Sequence, residues 1–363
     1  MNAVSARNNR TRRGFAQLLF AALLCVFLPA CTNAATGADV TQPSLPTEAG
    51  TDEQTTTPTD TAVITDDTDG TDDNAETEPP ETNVPPTEEA DVYTYDIYTL
   101  SPYVEGFLGD DLHLYRDFID AIYAYDPVIE GFESQLQFEK VWMVVLSDFI
   151  PSQKLLMSYL YTEEPFVYDD GTVTVGFRLD RDEHMNILAA FDGKMNDILS
   201  GVRLDAAEEE KAKYLYSYVA SDMHYEFTLG DTFYDAIMGG FGICGDYALY
   251  LETLYCAVGL DCMGVHSWDE PTVDAHAWVI ANIDGEYYHI DPTFESTGPG
   301  AWMGELGYSY FGMTDERRRE TGIIGEWEPD VYYSDQDENY YGKGPAPVLP
   351  ECTSERFSDG WIW

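Results

Sequence analysis

The chain has 363 residues, of which 67 are acidic and 18 are lysine or arginine, so its formal net charge at pH 7 is −49. This charge argues against binding to nucleic acids, and against binding to anionic membranes through charge, because the phosphates would repel the chain. Cationic or neutral partners, such as basic peptides, are less disfavoured.

Residues 1–30 have the composition of an export signal peptide. Four arginines and no acidic residue occur in the first 13 positions: Arg7, Arg10, Arg12 and Arg13. An apolar run of about fifteen residues follows, and it is too short to span a bilayer comfortably. The sequence therefore indicates a cleaved signal and not an element of the fold.

The apolar run leads to Leu28-Pro29-Ala30-Cys31, which resembles a bacterial lipoprotein box. The resemblance implies cleavage before Cys31 and lipidation of its thiol and of the new amino group. Such a lipid would anchor the mature protein on the extracellular face of a bacterial membrane. The alternative is ordinary secretion, with cleavage near Ala30.

Residues 31–92 have the composition of a disordered stalk. They are mainly Thr, Asp, Glu, Pro and Ala, with almost no large apolar residue. Such a segment cannot bury a core, and acidic residues without basic neighbours repel one another. We expect a spacer with a reach on the order of 40 Å as a coil, which could bring the folded part into contact with the cell wall.

The folded part begins near residue 93 and divides into two regions. Residues 93–200 mix helical and strand patterns, which indicates an N-terminal α+β region. The elements predicted there are helices over 112–122, 136–149 and 182–199, and a hairpin over 165–179 with Tyr168-Asp169-Asp170-Gly171-Thr172 at its turn. Residues 201–363 form the second region, which begins with a helix over 205–220.

Cys244 follows a glycine-rich segment and lies at the first turn of a predicted helix. Apolar residues recur at helical intervals until Gly259: Ala248, Leu251, Leu254, Tyr255 and Val258. Unpaired N–H groups and the positive end of the dipole at a helix N-terminus favour a thiolate over a thiol. Cys244 is therefore a candidate nucleophile.

The next polar candidates lie on a predicted β-hairpin. Residues 273–283 and 286–290 have strand composition, and Asp284-Gly285 is a strong signal for a two-residue turn. This turn pairs Ile283 with Glu286 and places Trp278 opposite Asp291. His276 and Asp291 then project to the same face as diagonal neighbours, within reach of a hydrogen bond. A thiolate, an imidazole and a carboxylate are the parts of a Cys-His-Asp triad.

The same residues carry a family resemblance. They are Tyr234, Ala236, Ile237, Gly240, the run from Ile243 to Ala248, His276-Ala277-Trp278 and Ile290-Asp291-Pro292-Thr293. In this order they resemble the transglutaminase-like core of many bacterial proteins. The resemblance implies an α+β, papain-like fold in which a helix bearing the cysteine packs on an antiparallel sheet, here within a catalytic domain over residues 201–363.

The family resemblance also implies roles for individual residues. Cys244 would be the nucleophile, His276 the general base and acid, and Asp291 the residue that orients the imidazole. Tyr234 would have a positioning or oxyanion-side role. Asp246 stands where many members have glycine, and we expect it to be exposed on the first helical turn, where it would support the helix dipole.

The remaining cysteines and histidines leave alternatives open. Cys256 and Cys262 straddle Gly259 and could form a disulfide, and the state of Cys352 is undecided. Candidate zinc ligands are Cys244, Cys262, His266, His276 and His289. None of them forms a CxxC or HExxH pair, so we expect neither a metal nor another cofactor.

The sequence thus predicts a surface-anchored thiol enzyme that attacks an amide carbonyl of a peptide or protein and passes through an acyl-enzyme. Release to water would make it a peptidase or amidase, which we favour because water is the simplest acceptor outside a cell. Release to an amine would make it a transglutaminase. A third alternative is a catalytically inactive binding module that uses the same cleft, together with the aromatic residues of the tail, to hold a ligand.

Overall fold

A computed structural model of the chain describes residues 92–156, 166–227, 231–269, 274–297, 306–322, 326–329 and 348–360. The expected signal peptide, Cys31 and all of the expected stalk except Val92 lie outside the described residues, as do the tyrosines and tryptophans at 332–341 and 361–363. Within the described part, no helix combines the length and the apolar character needed to cross a membrane.

The described helices agree closely with the periodicity of the sequence. They are α1 (Pro102–Leu108), α2 (Leu112–Ala124), α3 (Gln135–Asp148), α4 (Ser152–Leu156), α5 (Arg181–Leu199), α6 (Glu208–Asp222), α7 (Phe233–Gly239), α8 (Cys244–Ala257), α9 (Pro292–Thr297) and α10 (Asp315–Glu320). Side-chain caps set several of their starts. The Asp180 carboxylate accepts the N–H of Glu183 at 3.0 Å, and the Thr314 hydroxyl accepts that of Arg317 at 3.1 Å.

The described strands form three sheets. They are β1 (Val128–Glu130), β2 (Phe166–Asp169), β3 (Thr172–Val175), β4 (His224–Tyr225), β5 (Phe241–Gly242), β6 (Cys262–Asp269), β7 (Asp274–Ile283), β8 (Glu286–Ile290) and β9 (Trp327–Pro329). The largest sheet has the order β8-β7-β6-β9 and is antiparallel throughout. A smaller antiparallel sheet has the order β1-β3-β2, and β4 pairs in parallel with β5.

Both predicted hairpins are present, and their turns explain the register. Asp284 and Gly285 have φ values of 54° and 88°, and Asp170 and Gly171 have 46° and 88°. Positive φ at both central residues is the type I′ geometry that matches the twist of two paired strands. Ile283 therefore pairs with Glu286, as the sequence predicts.

Three buried clusters lie within the described residues, and the smallest contains Val265, Trp278 and Cys352. The first joins α1, α2 and α3 to the small sheet, with Phe118, Phe138 and Val173 all fully buried. The second packs α5, α6 and α8 on one face of the large sheet and contains Phe191 and Leu251. The cysteine-bearing helix thus packs on an antiparallel sheet, which confirms the predicted fold class.

The buried clusters divide the chain at a different position from the boundary predicted from the sequence. The change from the first cluster to the second occurs within α5, between Leu188 and Phe191, whereas the boundary predicted from the sequence lies at the end of that helix. The described residues all belong to one compact unit. The division at residue 200 stays a prediction.

Candidate active site

Cys244 is the first residue of α8, and a sharp strand-to-helix turn holds it there. β5 ends at Gly242, and Ile243 is still extended, with φ −106° and ψ −179°. A Cβ on Gly242 would lie 2.7 Å from the Asp246 side chain, so only glycine fits this close approach. The Cys244 side chain is 4% exposed.

Asp246 corrects one expectation from the sequence, because it is buried and not exposed on the first turn. Its carboxylate turns back over the helix start and accepts the N–H of Ile243 at 2.8 Å. The Gly242 backbone covers it, and this cover depends on a tertiary path that helical periodicity does not show. Burial raises the pKa of Asp246 to about 7, and the nearby Asp231 adds to the effect.

The predicted hydrogen bond between His276 and Asp291 is present. His276 Nε2 lies 2.7 Å from Asp291 Oδ2, and the Asp291 side chain is fully buried while that of His276 is 13% exposed. The other carboxylate oxygen accepts the N–H groups of Thr293 and Phe294 at 3.0 and 3.1 Å. Asp291 therefore caps α9 and orients the imidazole at the same time.

The charges around Asp291 keep it ionised in spite of its burial. Burial alone would raise the pKa of Asp291, but the His276 imidazole and the Arg318 guanidinium outweigh it and lower the pKa to about 2. An ionised carboxylate only accepts hydrogen bonds, so the proton of a neutral His276 lies on Nε2. Nδ1 is then the nitrogen that can exchange a proton with a thiol.

Aromatic rings fix the His276 imidazole from the side. It stacks on Phe294, with ring centroids 4.5 Å apart, and it lies nearly parallel to Trp278 at 5.8 Å. Stacking restricts the rotation of the ring and excludes water from it. Trp278 belongs to the family pattern, whereas Phe294 was not predicted and its position just after Asp291-Pro292-Thr293 is the only sequence signal for it.

Arg318 is the main residue that sequence reasoning missed. It lies on α10, is 0% exposed, and places Nη2 2.9 Å from Asp291 Oδ2. Burial lowers the pKa of Arg318, while Asp291, Tyr310 and Cys244 act in the opposite direction. Arg318 thus pairs directly with Asp291, and a charge on Cys244 also acts on it. The signal available in the sequence was the run Arg317-Arg318-Arg319 in a chain poor in basic residues.

α8, with Cys244 at its start, packs against β7, which carries His276. The structure does not show the positioning role that the family resemblance implies for Tyr234. That residue is 9% exposed on α7 and packs toward Phe191, with ring centroids 6.4 Å apart. Among the described residues, its hydroxyl has no hydrogen bond to the triad, so its positioning role stays a prediction.

Among the described residues, the cluster His289, Asp315 and Cys352 has ligand atoms close enough for a metal, all within 4.8 Å of one another. The hydrogen bonds of this cluster are not compatible with a bound metal. Trp278 donates its indole N–H to His289 Nδ1 at 2.9 Å, so His289 carries its proton on Nε2 and donates it to Asp315, also at 2.9 Å. Burial lowers the pKa of His289 to about 4. A metal would require the lone pair that this proton occupies.

A surface cavity of about 290 Å³ lies elsewhere in the domain, and no triad residue lines it. Its walls include Glu209, Lys213, Tyr308 and Phe357. Segments 228–230, 270–273 and 298–305, which are close in sequence to site residues, lie outside the described part of the chain.

Comparison with models of protein families finds a match to part of the chain. Residues 187–314 match the family model described as a transglutaminase-like domain. The match begins in α5, spans Cys244, His276 and Asp291, and ends just before α10. No curated protein sequence matches the chain.

Two solved structures are similar to part of the chain. A candidate cysteine protease from Cytophaga hutchinsonii has 17% identity and a TM-score of 0.24, over 32% of this chain and 43% of that one. A candidate protease from Parabacteroides distasonis has 11% identity and a TM-score of 0.22, over 36% of this chain and 30% of that one. The chain spans less than half the length of either protein. Residues 187–314, which contain Cys244, His276 and Asp291, are therefore similar to a transglutaminase-like domain.

Proposed function

We propose that the protein is a thiol enzyme that acts on amide bonds of peptides or proteins through an acyl-enzyme on Cys244. The observation that supports this most strongly is the His276–Asp291 hydrogen bond of 2.7 Å to a fully buried, ionised carboxylate. The neighbouring charges keep Asp291 ionised in spite of its burial, and an ionised carboxylate is what the orienting member of a Cys-His-Asp triad has to be.

In the acylation step, the Cys244 thiolate attacks the carbonyl carbon and forms a C–S bond. The protonated His276 gives its Nδ1 proton to the leaving nitrogen as the C–N bond breaks. Asp291 accepts the Nε2–H throughout and stabilises the positive charge of the imidazole. The Cys244 backbone N–H, at the helix start, is the natural first donor to the developing oxyanion.

In the deacylation step, His276 Nδ1 takes a proton from water, and the oxygen attacks the thioester carbonyl. The C–S bond breaks, the thiolate returns, and the second product is a carboxylic acid. We favour this hydrolysis, as in a peptidase or amidase. An amine, such as a lysine side chain, would attack the same acyl-enzyme and give a protein transglutaminase.

One observation favours a catalytically inactive binding module as the second candidate. Cys244 is only 4% exposed, and a preserved triad needs an open cleft to react. Such a module would hold its ligand in the same region without a covalent step.

The test uses the full-length protein with quenched fluorescent casein, with and without the amine dansylcadaverine. We expect casein cleavage or amine incorporation that Cys244→Ala abolishes while circular dichroism stays unchanged. Cys256→Ala, at the other end of the same helix, is the control and should keep the activity. Equal activity in Cys244→Ala would contradict the proposal, and the product formed with the amine decides between hydrolase and transferase.

The proposed location is the extracellular face of a bacterial membrane, with the lipid on Cys31 and residues 31–92 as a stalk. The lipoprotein-like box and the acidic, core-free composition support it. This arrangement would present the enzyme to proteins outside the cell and to the cell wall.

A further inference from the structure

Arg318 is a charged side chain in a position that costs free energy. It is 0% exposed, on the short helix α10. Burial of a guanidinium is unfavourable unless nearby groups compensate its charge. Among the described residues, its Nε and Nη2 atoms have no well-aligned hydrogen-bond partner. Nη1 meets Thr321 Oγ1 only at 3.5 Å, so the compensation comes mainly from charge and from aromatic faces.

Those compensating contacts all belong to the proposed site. Nη2 of Arg318 lies 2.9 Å from Asp291 Oδ2, the oxygen that also binds His276. The guanidinium carbon lies 4.1 Å from the centre of the Trp278 ring and 5.2 Å from that of Phe294. These are the two rings that lie parallel to the His276 imidazole. The guanidinium therefore stacks on two aromatic rings and pairs with Asp291, and the same groups hold the His276 imidazole.

The electrostatic influence of Arg318 also extends to Cys244. A charge on Cys244 stabilises the guanidinium. Because such an interaction is reciprocal, the guanidinium stabilises the Cys244 thiolate by the same free energy. The dipole of α8 and a buried arginine thus act in the same direction on the sulfur.

The way α10 is held supports a positioning role. Thr314 caps the helix, and Asp315 at its first residue accepts the hydrogen bond from buried His289. His289 in turn accepts from the indole N–H of Trp278. The helix is therefore fixed to β7 and β8 at one end and presents Arg318 to Asp291 one turn later. Arg318 lies beyond residues 187–314, the part that matches the family model.

We propose that Arg318 is a positioning residue of the Cys244–His276–Asp291 site, where its guanidinium orients the Asp291 carboxylate and supplies positive charge that favours the Cys244 thiolate. The inference rests on the proposed function, since it assigns the residue to that reaction. The charged and titratable groups that act on the guanidinium come from several elements: Cys244 of α8, His289 of β8, Asp291 just before α9 and Tyr310 between α9 and α10. His276 of β7 shares Asp291 Oδ2 with it.

The test is the pH dependence of iodoacetamide alkylation at Cys244 in the full-length protein, followed by mass spectrometry of the Cys244 peptide. Arg318→Gln removes the charge, so we expect the midpoint of alkylation to move upward by roughly one pH unit or more. Arg318→Lys keeps a positive charge but loses the planar guanidinium that stacks on the aromatic rings. We therefore expect a smaller upward shift of the alkylation midpoint. Arg319→Gln, on the same helix but exposed and stacked on Trp327, is the control and should leave the midpoint in place.

A folded Arg318→Gln variant with an unchanged midpoint would overturn the role of Arg318, even if its melting temperature fell, because a structural residue would alter stability alone. If Arg318→Gln does not fold, Arg318→Met, which also removes the charge, decides, and an unchanged midpoint there overturns the inference. Failure of the proposed function looks different. In that case the unsubstituted protein itself would show the ordinary midpoint of a free cysteine.

Discussion

At the scale of single residues, Asp291 is the group on which the other parts of the site depend. Its Oδ1 accepts two backbone N–H groups at the start of α9, and its Oδ2 meets both His276 and Arg318. One carboxylate thus starts a helix, fixes an imidazole and neutralises a buried arginine. Removing its charge disturbs all three.

We expect Asp291→Asn to lower the free energy of unfolding at pH 7 by about 3–5 kcal/mol, because it leaves Arg318 buried without its counter-charge. The pKa of Asp291 is about 2, below its ordinary 3.8, so the native state binds this proton less tightly than the unfolded state. The stabilisation is complete above about pH 4 and is lost as the pH falls towards 2.

Urea denaturation at several pH values measures this effect. The difference in the free energy of unfolding between the parent protein and Asp291→Asn should become smaller on acidification. Asp205→Asn is the control, since Asp205 pairs with Arg203 on the surface and both side chains are more than 70% exposed. A difference as small as that of the control would show that the buried pair contributes little.

Asp246 leads to the opposite pH dependence. Its pKa is raised to about 7 by burial, so the folded state holds this proton more tightly than the unfolded state. Stability from this group should be full below about pH 4 and decline as the pH rises to 7. Asp246→Asn keeps an acceptor for the Ile243 N–H but cannot ionise.

We therefore expect the Asp246→Asn variant to gain melting temperature relative to the parent protein between pH 5 and 8, as followed by circular dichroism. Near pH 4 the two proteins should be similar. If Asp246→Asn lowers the melting temperature by the same amount at every pH, the prediction is wrong. Ionisation of Asp246 would then not destabilise the folded state.

At the scale of elements, the sequence predicts those parts whose causes are local. The start of α8, the β7–β8 hairpin and its register follow from periodicity and from Asp284-Gly285, and the Thr314 cap of α10 follows from its own side chain. β9 and β1 have three residues each, too few for a pattern. β6 also lacks a clear alternation, so its place beside β7 comes from tertiary packing.

The same reasoning explains why Arg318 and Asp246 were not recognised as buried groups. Arg318 reaches Asp291 across 27 positions of sequence, and no local pattern encodes that contact. Asp246 is covered by the backbone before its own helix. The His276–Asp291 hydrogen bond and the position of Cys244 at a helix start were predictable, because the register of a hairpin and the start of a helix are both local features.

The end of α8 and the start of β6 bring two thiols together. Cys256 Sγ and Cys262 Sγ are 3.4 Å apart and both are free. We expect diamide, which removes two hydrogen atoms, to join them in a disulfide, detected as a mass loss of about 2 Da in the peptide that holds both. Cys256→Ser should abolish the loss and Cys352→Ser should not. Persistence of two alkylatable thiols after oxidation would contradict this expectation.

At the scale of the whole molecule, the proposed membrane anchor and stalk rest on the sequence alone. The net charge of −49 disfavours contact with anionic lipid headgroups, so the membrane attachment that we propose would depend on a covalent lipid and not on charge. We expect Cys31→Ala to move the protein from the membrane fraction to the soluble fraction of a bacterial host. Ser5→Ala, in the same signal region, is the control. An unaltered membrane fraction for Cys31→Ala would contradict lipidation at that residue.

The central claim is that Cys244 is an activated thiol paired with His276, and its alkylation by iodoacetamide across pH tests this most directly. We expect a midpoint well below the value of about 8.5 for a free cysteine, and a return towards that value in His276→Ala. An ordinary midpoint in the unsubstituted protein, unaffected by His276→Ala, would contradict the account and favour the binding module.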